Sequence, residues 1–224
     1  MRRELEEQAR ALGFELFGVA PAGEFPHLPG WAASVIVVGM PALDPAFDLE
    51  LYIEEEGSQR WSKWAYERLS AGAARLALSL VEAGHRATPL TYEDSLSLLD
   101  LKVAAGRAGL GVRGPNNLVI TRRFGPRVRL GAVLTALALQ ADAPLNDYYC
   151  VCCSRCITAC PTAALSPAGF DRSRCIAEFA PGPEIAALQR QIDPHPTPNS
   201  RRQCTACIDA CPIGKKVATR FWLY

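Results

Sequence analysis

All nine cysteines of this 224-residue chain fall between Cys150 and Cys211, and their spacing restricts what the last third of the chain can hold. Cys150, Cys153, Cys156 and Cys160 run as C-x2-C-x2-C-x3-C and are followed by Pro161; that spacing is specific for iron–sulfur ligation. Cys175, then Cys204, Cys207 and Cys211 with Pro212 behind it, repeat the grammar with a long insert after the first member. Soft thiolates hold iron against competing metals, and short loops with small neighbours let consecutive thiolates converge on one cubane. The cysteine before proline begins a helix leading away from its loop and, in two-cluster proteins, ligates the other cluster. Two [4Fe–4S] clusters are therefore expected, one on Cys150, Cys153, Cys156 and Cys211, the other on Cys175, Cys204, Cys207 and Cys160. Cys152 is left over and reads as a small thiol, buried or partly exposed. Pro161 and Pro212 lack an N–H and fix φ where a helix starts.

Two other frameworks compete for these cysteines. Structural zinc takes four ligands per site and accounts for neither the third C-x2-C step nor the two Cys-Pro endings. Disulfides need an oxidising compartment. The chain opens with Arg2-Arg3 followed by Glu4, Glu6 and Glu7, where an export signal would need an apolar run. A cytoplasmic protein is expected. The longest apolar stretch, around Leu130 to Leu139, is too short to span a bilayer, so no membrane segment is expected. A net charge of +1 gives no general attraction for nucleic acid. The basic run Arg122, Arg123, Arg127 and Arg129 reads as a solvated face or as a contact for phosphate or carboxylate groups.

An α+β chain of two domains is expected, with an α/β domain over residues 1–140 and a two-cluster domain over residues 141–224. Leu5, Ala9 and Leu12 recur at helical spacing before Gly13, and Phe14 to Val19 reads as a strand. Val35 to Val38 is a β-branched run suited to a buried strand, closed by Pro41 and Pro45. Trp61, Trp64, Ala65, Leu69, Leu76 and Leu80 suggest one amphipathic helix from about Gln59 to Ala83, capped by Gly84. A second helix is expected from about Leu96 to Ala108, ended by Gly109-Leu110-Gly111, and Gly114-Pro115-Asn116-Asn117 reads as a turn. Leu118 to Thr121 and Val128 to Thr135 look like a hairpin joined through Phe124-Gly125-Pro126. The proline-rich insert between Cys175 and Cys204 reads as one short helix, Glu184 to Gln191, followed by an extended crossing.

The stretch Asp94 to Leu137, with AAGRAGLGVRGPNNLVITRRFGPRVRLGAVLTAL at its heart, is followed closely by the two-cluster motif. That order, with ALGFELFGVAPA and PGWAASVIVVGMP upstream, resembles the epoxyqueuosine reductases and their relatives the reductive dehalogenases. The resemblance implies a nitroreductase-like domain of the cobalamin-binding type and a bacterial ferredoxin-like domain that delivers electrons to the cobalt. Asp94 stands where the epoxyqueuosine reductases place an acidic residue proposed as proton donor; its alternative role, with Ser95 and Ser97, is to cap a helix. Gly109, Gly111 and Gly114 either admit a flat macrocycle or simply end a helix and turn the chain. Arg127, Arg129 and the backbone from Leu130 resemble the strand region lining the corrinoid.

Three departures from that family bear on the substrate. Pro115 replaces the lysine usual in a G-K-N turn, and the segment between Pro21 and Pro29 is short, without the family's Trp/Gly/Met segment on the substrate side. The chain ends at Tyr224, thirteen residues after Cys211, without the helical-repeat domain those reductases add for tRNA. A small-molecule substrate is therefore expected and no nucleic acid, with electrons from a ferredoxin or flavodoxin type of donor. Two alternatives stay open: an accessory protein that reduces another protein's cofactor, and a flavin-binding reductase. His27, His85 and His195 lie in loops and read as exposed residues rather than ligands, and Trp61 and Trp64 read as core.

Overall fold

The computed structural model describes residues 1–43, 49–55, 58–90, 94–145, 148–177, 183–192, 197 and 200–214. Pro45, His195, Trp222 and the prolines 181, 194, 196 and 198 lie outside the described residues. In chain order the first half holds α1 (Arg2–Ala11), β1 (Leu16–Pro21), β2 (Ser34–Pro41), β3 (Leu49–Glu55), β4 (Ser58–Lys63), α2 (Trp64–Glu82), β5 (Ala87–Pro89), α3 (Asp94–Ser97) and α4 (Leu101–Arg107). The second holds β6 (Val112–Arg113), β7 (Val119–Ile120), β8 (Val128–Thr135), α5 (Arg155–Thr158), β9 (Leu165–Ser166), β10 (Gly169–Phe170), α6 (Pro183–Ile192), β11 (Ser200–Arg202) and α7 (Ala206–Asp209). Two compact units result: Met1–Pro41, Arg68–Arg113 and Val128–Tyr149 form one, and Ala42–Glu67, Gly114–Arg127 and Cys150–Tyr224 form the other.

The first unit is built on a four-stranded sheet of order β1-β2-β8-β5, antiparallel at every pairing. The run Val35 to Val38 is wholly buried, as an inner strand covered on both faces requires. Glycines mark where helices press on that sheet. Gly18 pairs with Val37, and a Cβ there would stand 2.5 Å from the carbonyl oxygen of Ala108, at the end of α4. Gly131 pairs with Val38, on the opposite face, and sits against Leu69 of α2. The two helices thus cover opposite faces. From α2, the stripe Ala65, Leu69, Ala73, Leu76, Ala77 and Leu80 is buried at helical spacing. Gly84, at φ +85°, ends that helix through its N–H on the Val81 carbonyl (2.9 Å), while the His85 N–H bonds the Leu80 carbonyl (2.9 Å).

Several elements differ from what the sequence suggests. Residues from Gln59 to Lys63 belong to strand β4 rather than to the helix, which starts only at Trp64. The Trp61/Trp64/Ala65 spacing imitates a helical stripe, yet Trp64 is 52% exposed and is not core. The helix expected from Leu96 to Ala108 is broken in two, because Asp100 caps α4 by accepting the N–H groups of Lys102 (2.8 Å) and Val103 (3.3 Å). The hairpin expected between Leu118–Thr121 and Val128–Thr135 does not form. Instead β8 pairs with β2 and β5, and Thr121 closes locally on Gly125 through two 2.9 Å backbone bonds.

In the second unit, β11-β3-β4 make a three-stranded antiparallel sheet. Glu50 and Lys63 face each other across β3 and β4, with Nζ 3.1 Å from Oε1 and both side chains almost wholly buried. The Lys63 ammonium also lies 5.0 Å from the centre of the Tyr66 ring, a cation–π distance. Strand β11, from the insert, runs directly into the Cys204 loop. Among the described residues no helix is long and apolar enough to cross a membrane.

Candidate metal centres

The duplicated cysteine grammar folds into a duplicated backbone. Helix α5 begins with Ile157 and Thr158 N–H groups on the Ser154 carbonyl and ends with the Cys160 N–H on Ile157. Helix α7 repeats this with Ile208 and Asp209 on Thr205 and Cys211 on Ile208, and the two helices touch. Each short turn thus carries one cysteine inside it, Cys156 or Cys207, and delivers another at its end, Cys160 or Cys211.

The electrostatics sort the thiols into sets. Burial pushes the Cys207 thiol up to about 12, and the neighbouring charges of Cys204, Cys175, Cys160 and, last, Cys156 add to it. Burial likewise raises Cys156, with Cys153 and Cys211 contributing, and raises Cys150, to which Cys152 and Cys211 contribute. Cys204, Cys175, Cys160 and Cys156 thus lie near enough to act on Cys207, and Cys211 near enough to act on Cys150 and Cys156. Cys160 is the exception in direction. Burial raises it, but donors from the backbone at Leu165, Thr162 and Ala164 and the Thr162 hydroxyl (3.8 Å) outweigh burial and leave it lowered. Donors aimed at a ligating sulfur both stabilise its thiolate and tune the metal.

A pocket opens among Cys150, Cys152, Cys153, Cys156 and Cys211, with Asn116 and Ile120 on its wall. Among the described residues no three Cys, His, Asp or Glu side chains converge closely enough for a single ion. Soft thiolates carried on short loops suit iron–sulfur clusters, which spread four ligands over four irons. The donor chemistry fits two [4Fe–4S] groups.

The loop after Cys211 is held by residues of the 114–127 segment. The Arg127 guanidinium donates to the carbonyls of Ile208 (2.8 Å), Ile213 (3.1 Å) and, at longer range, Cys211 (3.5 Å). Gly125 sits at φ +59°, where a Cβ would stand 2.1 Å from the Ile213 carbonyl oxygen. Gly125→Ala is therefore expected to cost at least the ~1–2 kcal/mol of a left-handed non-glycine residue, plus the clash. The loss would be read as a lower urea midpoint by circular dichroism, and a midpoint unchanged from wild type would contradict this packing. Arg174 donates to the carbonyl of Thr162 (3.0 Å), and Gln203 ties the Cys204 loop to the Ala177 carbonyl (2.8 Å).

The other residues singled out in the sequence lie apart from the cysteines in chain and element. Asp94 opens α3, its carbonyl accepting the Leu98 N–H (2.7 Å). Gly109, at φ +68°, terminates α4, and a Cβ there would meet the Ala143 carbonyl oxygen at 2.6 Å; Gly111 is buried. Gly114 starts a turn closed by Asn117, itself at φ +59°, and a Cβ there would meet Ile120 at 2.8 Å. Arg129 is buried on β8 with a bond to the Val128 carbonyl (3.1 Å), and Leu130 packs toward Gly39. His27 is exposed and His85 half-buried. The arginine bonds to the Cys-Pro loops, and the Glu50–Lys63 pair, had no local sequence signal, since each joins residues at least 12 apart in the chain.

No family model matches the chain. It is 31% identical, over 94% of its own length and 75% of the relative's, to an epoxyqueuosine reductase of Gloeobacter violaceus. Its fold superimposes on an epoxyqueuosine reductase solved with an epoxyqueuosine-modified tRNA stem loop, with a TM-score of 0.67, 21% identity and coverage of 96% of this chain and 65% of that one. It also superimposes on a catabolic reductive dehalogenase solved with 3-bromo-4-hydroxybenzoic acid, with a TM-score of 0.65, 15% identity and coverage of 95% of this chain and 31% of that one.

Proposed function

The chain belongs to the superfamily of epoxyqueuosine reductases and reductive dehalogenases, and on that premise we propose that it is a cytoplasmic reductase in which two [4Fe–4S] clusters pass single electrons to a corrinoid. The observation that supports this reading is the pair of touching short helices α5 and α7, which carry Cys156 and Cys207 inside them and Cys160 and Cys211 at their ends. The clusters are held as crossed sets, Cys150, Cys153, Cys156 with Cys211, and Cys175, Cys204, Cys207 with Cys160. The cysteine-rich part is ferredoxin-like, and the part that carries Gly109, Gly111, Arg129 and Leu130, all in the first unit, is nitroreductase-like and binds the corrinoid near them. A corrinoid supplies a strongly reducing cobalt centre when bound. The protein's own part is to orient it, to exclude water and to deliver electrons and a proton.

Asp94 is the proton donor in this reading, its short helix setting the carboxyl at a fixed point of the chain. Expecting no nucleic-acid substrate is weakened by the tRNA stem loop on the solved relative. A modified nucleoside therefore stands beside a small molecule as the group reduced. Binding is tested by titrating anaerobically reconstituted protein with hydroxocobalamin and following the cobalt absorption. A shift toward a base-off spectrum at micromolar corrinoid is expected; no binding at that concentration overturns the reading. Bound flavin in the purified protein would favour a flavin reductase instead.

A further inference from the structure

The two Cys-Pro loops are held in the same way. Cys160 and Cys211 are matching positions of the duplicated motif, and two residues beyond each stand Thr162 and Ile213. The Thr162 carbonyl accepts a hydrogen bond from Arg174 (3.0 Å) and the Ile213 carbonyl one from Arg127 (3.1 Å). The arginines come from unrelated places in the chain. Arg174 immediately precedes Cys175, whereas Arg127 lies before the whole cysteine region. The same backbone oxygen has thus been given the same cation in each half, which simple duplication of the motif does not explain.

The two clamps differ in strength. Arg127 is half-buried and spreads its donors over the carbonyls of Ile208, Cys211 and Ile213, so it grips the end of α7 and the loop after it. Close packing of Gly125 against Ile213 and of Gly214 against Phe124 locks the same region. Arg174 is exposed and also acts on Asp171, whose carboxyl is held below its usual range by the Ser173 hydroxyl first and by the Arg174 charge as a smaller cause. One cation is thus half-buried among three carbonyls, and the other is screened by solvent and a carboxylate. A fixed positive charge favours the more negative, reduced state of a nearby cluster, and does so more strongly where water is excluded.

We propose that Arg127 and Arg174 are a matched pair of positioning residues, one on each Cys-Pro loop, and that the half-buried Arg127 raises the reduction potential of the cluster ligated by Cys211. The proposal rests on the two-cluster reading. It separates the potentials of two clusters built from the same motif and so gives the electron path a direction.

The test is an anaerobic redox titration of the reconstituted full-length chain, followed by electron paramagnetic resonance. Arg127→Met is expected to shift one of the two transitions to lower potential, by about tenfold in the ratio of oxidised to reduced cluster at fixed potential, ~59 mV for one electron. The other transition stays in place. Arg127→Lys keeps the charge and is expected to recover most of the shift, and Arg174→Met is expected to move the second transition less. Should Arg127→Met fail to hold its cluster, Arg127→Lys decides: a cluster near the wild-type potential supports the proposal. Wild-type potentials in Arg127→Met, or equal shifts in the Met and Lys variants, overturn it. A wild-type protein lacking two clusters by iron analysis and resonance overturns the two-cluster reading itself.

Discussion

Cys207→Ala is expected to halve the iron of the reconstituted protein, from about eight to about four atoms per chain, with loss of one of two cluster signals. Cys207 lies inside α7, and Cys204, Cys175 and Cys160 act on its thiol. Its thiol, pushed up to about 12, is protonated in the metal-free protein at neutral pH. Iron must displace that proton, so cluster assembly draws on ligands that are ready only when metal arrives. Removing this sulfur takes away one ligand of its set, and α7 holds no other cysteine to replace it. Cys152→Ala is the control. Cys152 is exposed and outside both sets, so about eight irons are expected to remain. Full iron in Cys207→Ala, or a halved content in Cys152→Ala, would contradict the crossed assignment.

Lys63→Met is expected to destabilise the protein by about 3–5 kcal/mol, the cost of leaving a buried carboxylate without its cation. Lys63 and Glu50 are among the most deeply buried side chains of the second unit, 2% and 1% exposed, at opposed positions of β3 and β4. Their 3.1 Å contact sits in the sheet whose third strand, β11, leads to Cys204. A buried pair repays its desolvation only while both partners are present, whereas apolar residues of similar volume need no such repayment. The double variant Glu50→Leu with Lys63→Met is therefore expected to recover most of the loss. Urea unfolding followed by far-ultraviolet circular dichroism measures both. A Lys63→Met cost below about 1 kcal/mol, or a double variant as unstable as the single, would show that the pair is not desolvated as described.

The residues that announce themselves in the sequence are those whose partners are close by in the chain. Val35 to Val38 reads as a buried strand because four consecutive apolar residues need cover on both faces, and it lies in β2, one of the two inner strands of the first sheet. Gly84 reads as a helix end because only a left-handed residue closes α2 there. The duplicated cysteine spacing is legible for the same reason, and it folds into the matching short helices α5 and α7. Features set by distant partners are silent. Residues from Ser58 to Lys63 are mostly polar and become a strand only because β3 pairs with them over six residues. Leu118 to Thr135 carries a hairpin signal in Phe124-Gly125-Pro126, but β8 finds stronger apolar neighbours in β2. Arg127 looks like one of a basic run, and only the folded chain brings it to carbonyls more than eighty residues away. Asp100 starts α4 by two bonds to its own neighbours, a capping signal hidden inside a longer apolar pattern.

Electron delivery from the clusters to a corrinoid is tested most directly by mixing anaerobically reduced protein with hydroxocobalamin in a stopped-flow spectrometer. Transfer within the chain requires the cluster absorbance to recover in step with reduction of the bound cobalt, and requires Cys207→Ala to slow that step by at least about tenfold. Corrinoid that binds while the clusters stay reduced, or cobalt reduced equally fast in Cys207→Ala, would contradict the cluster-to-corrinoid path.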